Sequence, residues 1–275
     1  MFRECLQKEV DEILTRRKRG YFSFGPNKLR IILILLMSII DIVFGIFLTF
    51  KYLNLGNFEI PITKTQFIFD VQKDAEYKIY IQFKDYYQNY YNYSKSISFK
   101  QLKGKIPENL DSCKPFIRNN NKIIYPCGLI ANSFPQFKIL IDKQEISDSG
   151  IIWNSQKNFI KPTSYDLNDI IPPISWSKNT DLKKLNQNKR FVNWINIAAF
   201  DNFRKLHGKI FLKKGNHTLN ISSNKNYQNI KIVFAETSSF GVRNIFLSLS
   251  LIALGIFSLV SSVIILYKSN FNRIE

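Results

Sequence analysis

Catalysis by side chains needs a nucleophile, a base or a metal, and few residues of this sequence offer one. His207 and His217 are its two histidines, and a zinc site fails for want of ligands. Asp166 and Asp169 stand three apart and could pair as carboxylates, but acidic residues are so scattered that chance explains the spacing. His207 precedes Gly208 in a basic segment and reads as a surface or packing residue, not a general base. There is no P-loop, no Gly-x-Ser-x-Gly elbow, no His-Glu-x-x-His and no glycine-rich dinucleotide turn. The expectation is a protein that is not an enzyme and holds no cofactor and no metal.

The chemistry that remains is covalent modification. Of three cysteines, Cys5 lies near the amino terminus, while Cys113 and Cys127 are 14 apart and bracket Lys114-Pro115 and the polar turn Asn119-Asn120-Asn121. One disulfide suits an oxidising compartment and would contribute roughly 3 kcal/mol by closing so short a loop. Two free thiols are the alternative. N-glycosylation sequons begin at Asn92, Asn216 and Asn220. Single sequons arise by chance in an Asn-rich chain, yet all three fall between residues 51 and 243.

Two nearly charge-free segments frame that region. Residues 29–50 are interrupted only by Arg30 and Asp41, and residues 245–267 carry no charge. At about 1.5 Å per residue each spans about 33–35 Å as a helix, enough for a hydrocarbon core of about 30 Å. The first reads as an uncleaved anchor. It starts too late and runs too long for a signal peptide, and Lys51-Tyr52-Leu53-Asn54 follows where a small-x-small cleavage site would stand. Arg16-Arg17-Lys18-Arg19, Lys28 and Arg30 precede or open the first segment, and Lys268 and Arg273 follow the second. Basic short flanks are the mark of cytoplasmic tails. The expected organisation is a cytoplasmic tail (1–28), a transmembrane helix (29–50), a lumenal or extracellular domain (51–243), a second helix (244–267) and a cytoplasmic tail (268–275).

Asp41 falls near the bilayer midplane of this arrangement, where a charge costs at least about 2.5–3.5 kcal/mol. It is either a neutral, hydrogen-bonded carboxyl packed on the second helix or a contact with the polar groups of another membrane protein. Ser248, Gly255 and Ser262 recur every seven residues and leave one face of the second helix able to approach another helix closely. Pairing within the chain and docking of a partner both use such a face.

The formal net charge is +18, and residues 51–243 hold 29 basic against 15 acidic residues. Outside the cytoplasm little nucleic acid is available, so no nucleic-acid partner is expected. The excess reads as compositional bias, or as attraction to anionic headgroups or an acidic partner surface. Period-two alternation marks strands at 67–71, 77–83, 137–141, 209–212, 217–221 and 230–235. Lys213-Lys214-Gly215-Asn216 reads as a hairpin turn between two of them. Residues 85–95 read as a short helix or an irregular arm, and 191–206 as a strand running into a helix. The fold class is a membrane protein, two transmembrane helices flanking a mostly antiparallel, sandwich-like β domain with short helices.

Longer strings carry a resemblance. Tyr125-Pro126-Cys127-Gly128-Leu129-Ile130-Ala131-Asn132-Ser133 resembles a signature of the cell-division-control-protein-50 / ligand-effect-modulator family, the accessory β-subunits of phospholipid-flipping P-type ATPases. Asp85-Tyr86-Tyr87-Gln88-Asn89-Tyr90, followed by Tyr93, Lys95-Ser96 and Gln101-Leu102-Lys103-Gly104, is similar to another stretch of that family. Ala198-Ala199-Phe200 and Phe203-Arg204-Lys205-Leu206-His207-Gly208 resemble a third, with Asp201 where the family has Pro and His207 where it has Tyr. Ile152-Trp153, Pro172-Pro173-Ile174-Ser175-Trp176 and Gly241-x-x-Asn244 follow in family order.

The resemblance implies a phospholipid-flipping P-type ATPase as obligate partner, with the chain itself binding no ATP. It implies work in stabilising that enzyme, licensing its exit from the endoplasmic reticulum and holding it competent, in the endoplasmic reticulum, Golgi, endosomal or plasma membrane among membrane lipids. On that reading partner contacts are expected at Tyr86, Tyr87, Tyr90, Tyr91 and Tyr93, where tyrosine suits interface hot spots, and at Asp41 and Gly255. Filling of the domain core is the other role open to the tyrosines. A two-helix channel subunit or a cell-surface receptor or adhesion protein would share the topology.

Overall fold

Runs of Ile, Leu, Phe and Val with no proline and no adequate break give helices wherever the backbone has no water to bond, and both apolar segments are helical. In the computed structural model, which describes residues 28–223 and 229–271, α1 is Lys28–Leu53 and the carboxy-terminal helix is Ile245–Phe271. The stretches Leu29–Leu53 and Ile245–Tyr267, 25 and 23 residues, are long and apolar enough to cross a membrane. Cys5, the basic run 16–19 and Arg273 lie outside the described residues. Residues 28–54 with 243–271 form one compact unit, and 55–242 form another.

Within the first unit the helices pair through small residues. Ser38 and Ser248 are buried, and their hydroxyls donate to the Ile34 and Ile245 carbonyls of their own helices, so neither hydroxyl is stranded in the seam. A Cβ built on Gly255 would lie 2.9 Å from the Ser38 carbonyl oxygen and 2.6 Å from Ile42 Cγ1. On Gly45 it would lie 3.0 Å from the Ser248 carbonyl oxygen and 2.7 Å from Ile252 Cγ1. The seven-residue face of the second helix is thus spent on pairing within the chain.

Among its described residues the second unit has twelve strands: β1 (Asn57–Pro61), β2 (Gln66–Val71), β3 (Ala75–Phe83), β4 (Arg118–Asn119), β5 (Lys122–Ile124), β6 (Phe137–Ile141), β7 (Gln144–Glu145), β8 (Ile170–Ile171), β9 (Phe203–Leu212), β10 (Gly215–Ser223), β11 (Ile230–Ser238) and β12 (Gly241–Val242). One sheet runs β1-β11-β3-β9, with β12 on β11; a second runs β2-β10-β6-β7; a third, small sheet runs β4-β5-β8. All pairings are antiparallel except β5 with β8. Strand β3 shows the expected alternation: Tyr77, Ile79, Ile81 and Phe83 are buried and the residues between them are not. Phe58 and Phe234 of the first sheet meet Phe69 of the second at ring distances of 5.5 and 5.0 Å, which joins the two apolar faces.

Two local expectations are corrected. The 213–216 turn does not close a hairpin, because β9 pairs with β3 while β10 pairs with β2 and β6. It carries the chain from one sheet to the other instead. In 191–206 the order is reversed: a helix, Lys189–Ile195, comes first and β9 follows. Asn188 starts that helix by accepting the Phe191 amide at 3.0 Å. Short helices also occupy Tyr91–Ser94, Phe99–Leu102 and Leu129–Asn132. In chain order the five helices after α1 are α2 (Tyr91–Ser94), α3 (Phe99–Leu102), α4 (Leu129–Asn132), α5 (Lys189–Ile195) and α6 (Ile245–Phe271).

Candidate functional site

The stretch after β3 is both an irregular arm and a short helix. It leaves the sheet at Asp85, whose φ of 58° turns the chain, and is fastened to the segment before β9 by three hydrogen bonds. Tyr86 N donates to the Asp201 carbonyl at 3.1 Å, Asn89 Nδ2 to the Ala199 carbonyl at 2.8 Å, and Ala198 N to Gln88 Oε1 at 3.0 Å. Gln88 is buried, and its Nε2 donates to Tyr93 Oη, which shares a 2.7 Å hydrogen bond with Ser133 Oγ. Trp194 Nε1 reaches the Ile130 carbonyl at 3.0 Å. The arm therefore sits on a satisfied polar floor, and burial lifts the Tyr93 hydroxyl pKa above the ordinary tyrosine value, so Tyr93 stays protonated.

The structure divides the tyrosines that the sequence grouped together. Tyr93 is 4% exposed and Tyr86 half-buried, so Tyr93 belongs to the core and not to a docking surface. Tyr87 and Tyr90 are exposed, and Tyr91 is 69% exposed with the Lys95 ammonium 3.9 Å from its ring centroid. Phe200, 74% exposed, sits between the anchored Ala199 and Asp201 carbonyls. A cavity of about 490 Å³ is lined by Tyr86, Tyr87, Tyr90 and Tyr93 together with Leu129, Asn132 and Ser133. Sequence reasoning missed Phe200 as a surface residue, although it closes the Ala198-Ala199-Phe200 string.

The strings that carried the resemblance are structural. Cys113 and Cys127 are joined, Cα atoms 5.5 Å apart and both buried. The Cys127 amide donates to Gln101 Oε1 at 3.0 Å, and the buried Gln101 passes the bond on from Nε2 to Tyr165 Oη at 3.4 Å. Gly128 has φ 99°, and a Cβ there would fall 2.2 Å from the Ser96 carbonyl oxygen, so the Pro-Cys-Gly string requires its glycine. Among the described residues no group of three or more His, Cys, Asp or Glu is placed to hold a metal. The Asp166 carboxylate accepts the Asn168 amide at 3.1 Å, a local turn.

Asp41 is half-buried in α1, and its carboxylate has no hydrogen-bond or ion-pair partner among the described residues. Gly255 packs on Ser38 and Ile42 of α1, which removes it from the residues available to a partner. Of the sequons, Asn92 in α2 and Asn216 in β10 are exposed, whereas Asn220 is half-buried between β2 and β6.

A family model described as the LEM3 (ligand-effect modulator 3) family / CDC50 family matches residues 53–274. The chain belongs to this family. Curated relatives agree with the CDC50/LEM3 assignment. The chain is 33% identical to the phospholipid-transporting ATPase accessory subunit CRF1 of Saccharomyces cerevisiae, over 46% of this chain and 37% of that protein. It is 30% identical to the accessory subunit CDC50 of Chaetomium thermophilum, over 70% and 56% respectively. It is 33% identical to cell cycle control protein 50C of Macaca fascicularis, over 67% and 64%. The chain thus spans less than two thirds of the length of these CDC50/LEM3 relatives.

Proposed function

We propose that this chain is a non-catalytic accessory subunit of a phospholipid-translocating P-type ATPase, needed for that enzyme's stability, its exit from the endoplasmic reticulum and its transport activity. The observation that carries the reading is the CDC50/LEM3 match over 53–274, with relatives named as phospholipid-transporting ATPase accessory subunits. An aromatic surface of Tyr87, Tyr90, Tyr91 and Phe200, held on a rigid hydrogen-bonded floor, supports it. Exposed rings that are already ordered lose little entropy on docking. Asp41 supports it too, since an unpaired carboxyl at membrane depth is satisfied by a donor on another helix. Both tails face the cytoplasm in this reading, and 51–243 faces the lumen or the exterior, where its exposed sequons, at Asn92 and Asn216, receive glycans.

Affinity purification of the tagged full chain from its own membranes in mild detergent, with mass spectrometry of stoichiometric partners, tests it. A large P-type ATPase is expected. Replacing Tyr87, Tyr90 and Tyr91 with Ala should lower its recovery at least about tenfold, the effect of about 1.4 kcal/mol. The fold should survive, because all three rings are exposed. A chain that purifies alone or as a homo-oligomer, folded and at the cell surface, would remove the accessory-subunit reading.

A further inference from the structure

Apart from the tyrosine arm, a cavity of about 610 Å³ opens beside α5 and β9. Ile81, Phe83, Phe134, Phe137 and Trp194 contribute its apolar lining, none of them more than 7% exposed. Arg190 and Lys205 also line it. Arg190 donates from Nε to the His207 carbonyl at 3.0 Å and from Nη2 to the Ile146 carbonyl at 3.1 Å. Lys205 donates to the Asn193 carbonyl at 3.2 Å and to the Asn196 carbonyl. Every acceptor is neutral. The cavity's two carboxylates, Asp148 and Glu145, pair with Lys189 at 2.9 Å and Lys138 at 3.9 Å and also favour the charge of Arg190, whereas Lys205 is subject to burial alone. His207, in the same lining and almost wholly buried, has no partner for Nε2 among the described residues.

Tying α5 to β9 requires donors but not charge. At Lys205 a neutral amide would do the same work without the cost of holding an unpaired cation out of water. The Lys205 charge, which no carboxylate offsets, therefore calls for a different explanation, and an anion supplies it. Burial holds Lys205 down to about 8, as expected of an ammonium without a counter-ion. The Lys205 ammonium, with the Arg190 Nη1 that the two carbonyls leave over, suits phosphate, and aromatic walls suit an attached organic group.

We propose that this cavity binds a phosphate group, facing Arg190 and Lys205, from a phospholipid headgroup or from free phosphate. The proposal does not depend on which protein the chain accompanies. Isothermal titration calorimetry on the full chain in non-ionic detergent, at fixed salt, would use inorganic phosphate and dihexanoylphosphatidylglycerol. Saturable one-site binding of either probe is expected. Preference for the lipid assigns the headgroup, and preference for inorganic phosphate assigns the free ion. Lys205→Met should weaken binding at least about tenfold. Affinity for the lipid, whose diester charge does not titrate in this range, should fall as the pH rises through about 8. Lys205→Met also removes bonds to α5, so Ser147→Phe, which adds bulk at an exposed residue of the lining and leaves both cations in place, is the second variant; it should weaken binding at least as much. No saturable binding of either probe, or binding unchanged in a folded Ser147→Phe chain, would overturn the proposal.

Discussion

His217 is held by acceptors on both ring nitrogens, the Asp142 carboxylate 2.6 Å from Nδ1 and the Lys213 carbonyl 2.8 Å from Nε2. Only the protonated ring can donate to both. Burial works against that charge, but the Asp142 hydrogen bond, the Lys213 carbonyl and the charges of Asp142 and Asp70 outweigh it, so the pKa is raised. A folded-state pKa above the unfolded value of about 6.5 means the contact stabilises fully below that pH and is lost as the pH rises through the folded value. Asp142 is lowered by the His217 hydrogen bond and by Thr218, so its share is present above about pH 4 and lost as the pH falls through its folded pKa. His217→Gln should therefore lower the melting temperature more at about pH 5.5 than at about pH 8. The pair is exposed enough that about 1 kcal/mol is its ceiling, or about 2–4 °C; equal losses at the two values would refute the assignment. His207 has the opposite sign. Burial first, and then Arg190, push it down to about 3, so its neutral ring stabilises above about pH 6.5 and that contribution drains as the pH falls toward 3. His207→Leu should blunt acid destabilisation across that interval, measured as the slope of melting temperature against pH.

Elements were legible in proportion to how local their cause is. Both long helices follow from composition alone, and the strands at 67–71, 77–83, 137–141, 217–221 and 230–235 follow from alternation. Pairing is not local: 209–212 and 217–221 with a Lys-Lys-Gly-Asn turn between them look like a hairpin until one sees that β2 and β6 already occupy both edges of β10. Strands of two residues such as β4, β7 and β8 carry no period and were invisible. The helix seam was half legible. Its spacing showed at Ser248, Gly255 and Ser262, while its occupant needed coordinates. Gly255→Ile should push α6 off the Ser38 carbonyl and cost about 1–3 kcal/mol, as overpacking does. Gly45→Ile should cost a similar amount at the other contact. Because either change already separates the helices, the double variant should lose less than the two singles together, which thermal melting in detergent would measure. Strict additivity would mean that the two glycines report on separate contacts.

At the scale of the whole molecule, the candidate site was legible as a string and not as a surface. Five tyrosines within eight residues announce an aromatic arm, but alternation does not apply to an irregular segment, so nothing local says that Tyr93 turns inward while Tyr87, Tyr90 and Tyr91 do not. The buried Gln88 and the 198–201 segment decide it, and they lie far along the chain from one another. That geometry ties glycosylation to docking. Asn216 and Asn220 share one face of β10, but only Asn216 is exposed, so Asn216→Gln should remove one glycosidase-sensitive mobility step and Asn220→Gln none. Absence of every step would place 51–243 on the cytoplasmic side and remove the lumenal assignment. Asn92 is the informative site, because a glycan there stands beside Tyr91, on the arm proposed to meet the ATPase. Chains carrying it should be depleted from the ATPase-bound pool relative to the free pool when the two are separated and their glycopeptides quantified. Equal occupancy in both pools would leave Tyr91 outside the contact and move the docking surface toward Tyr87 and Phe200, whose rings stand farther along the chain from that sequon.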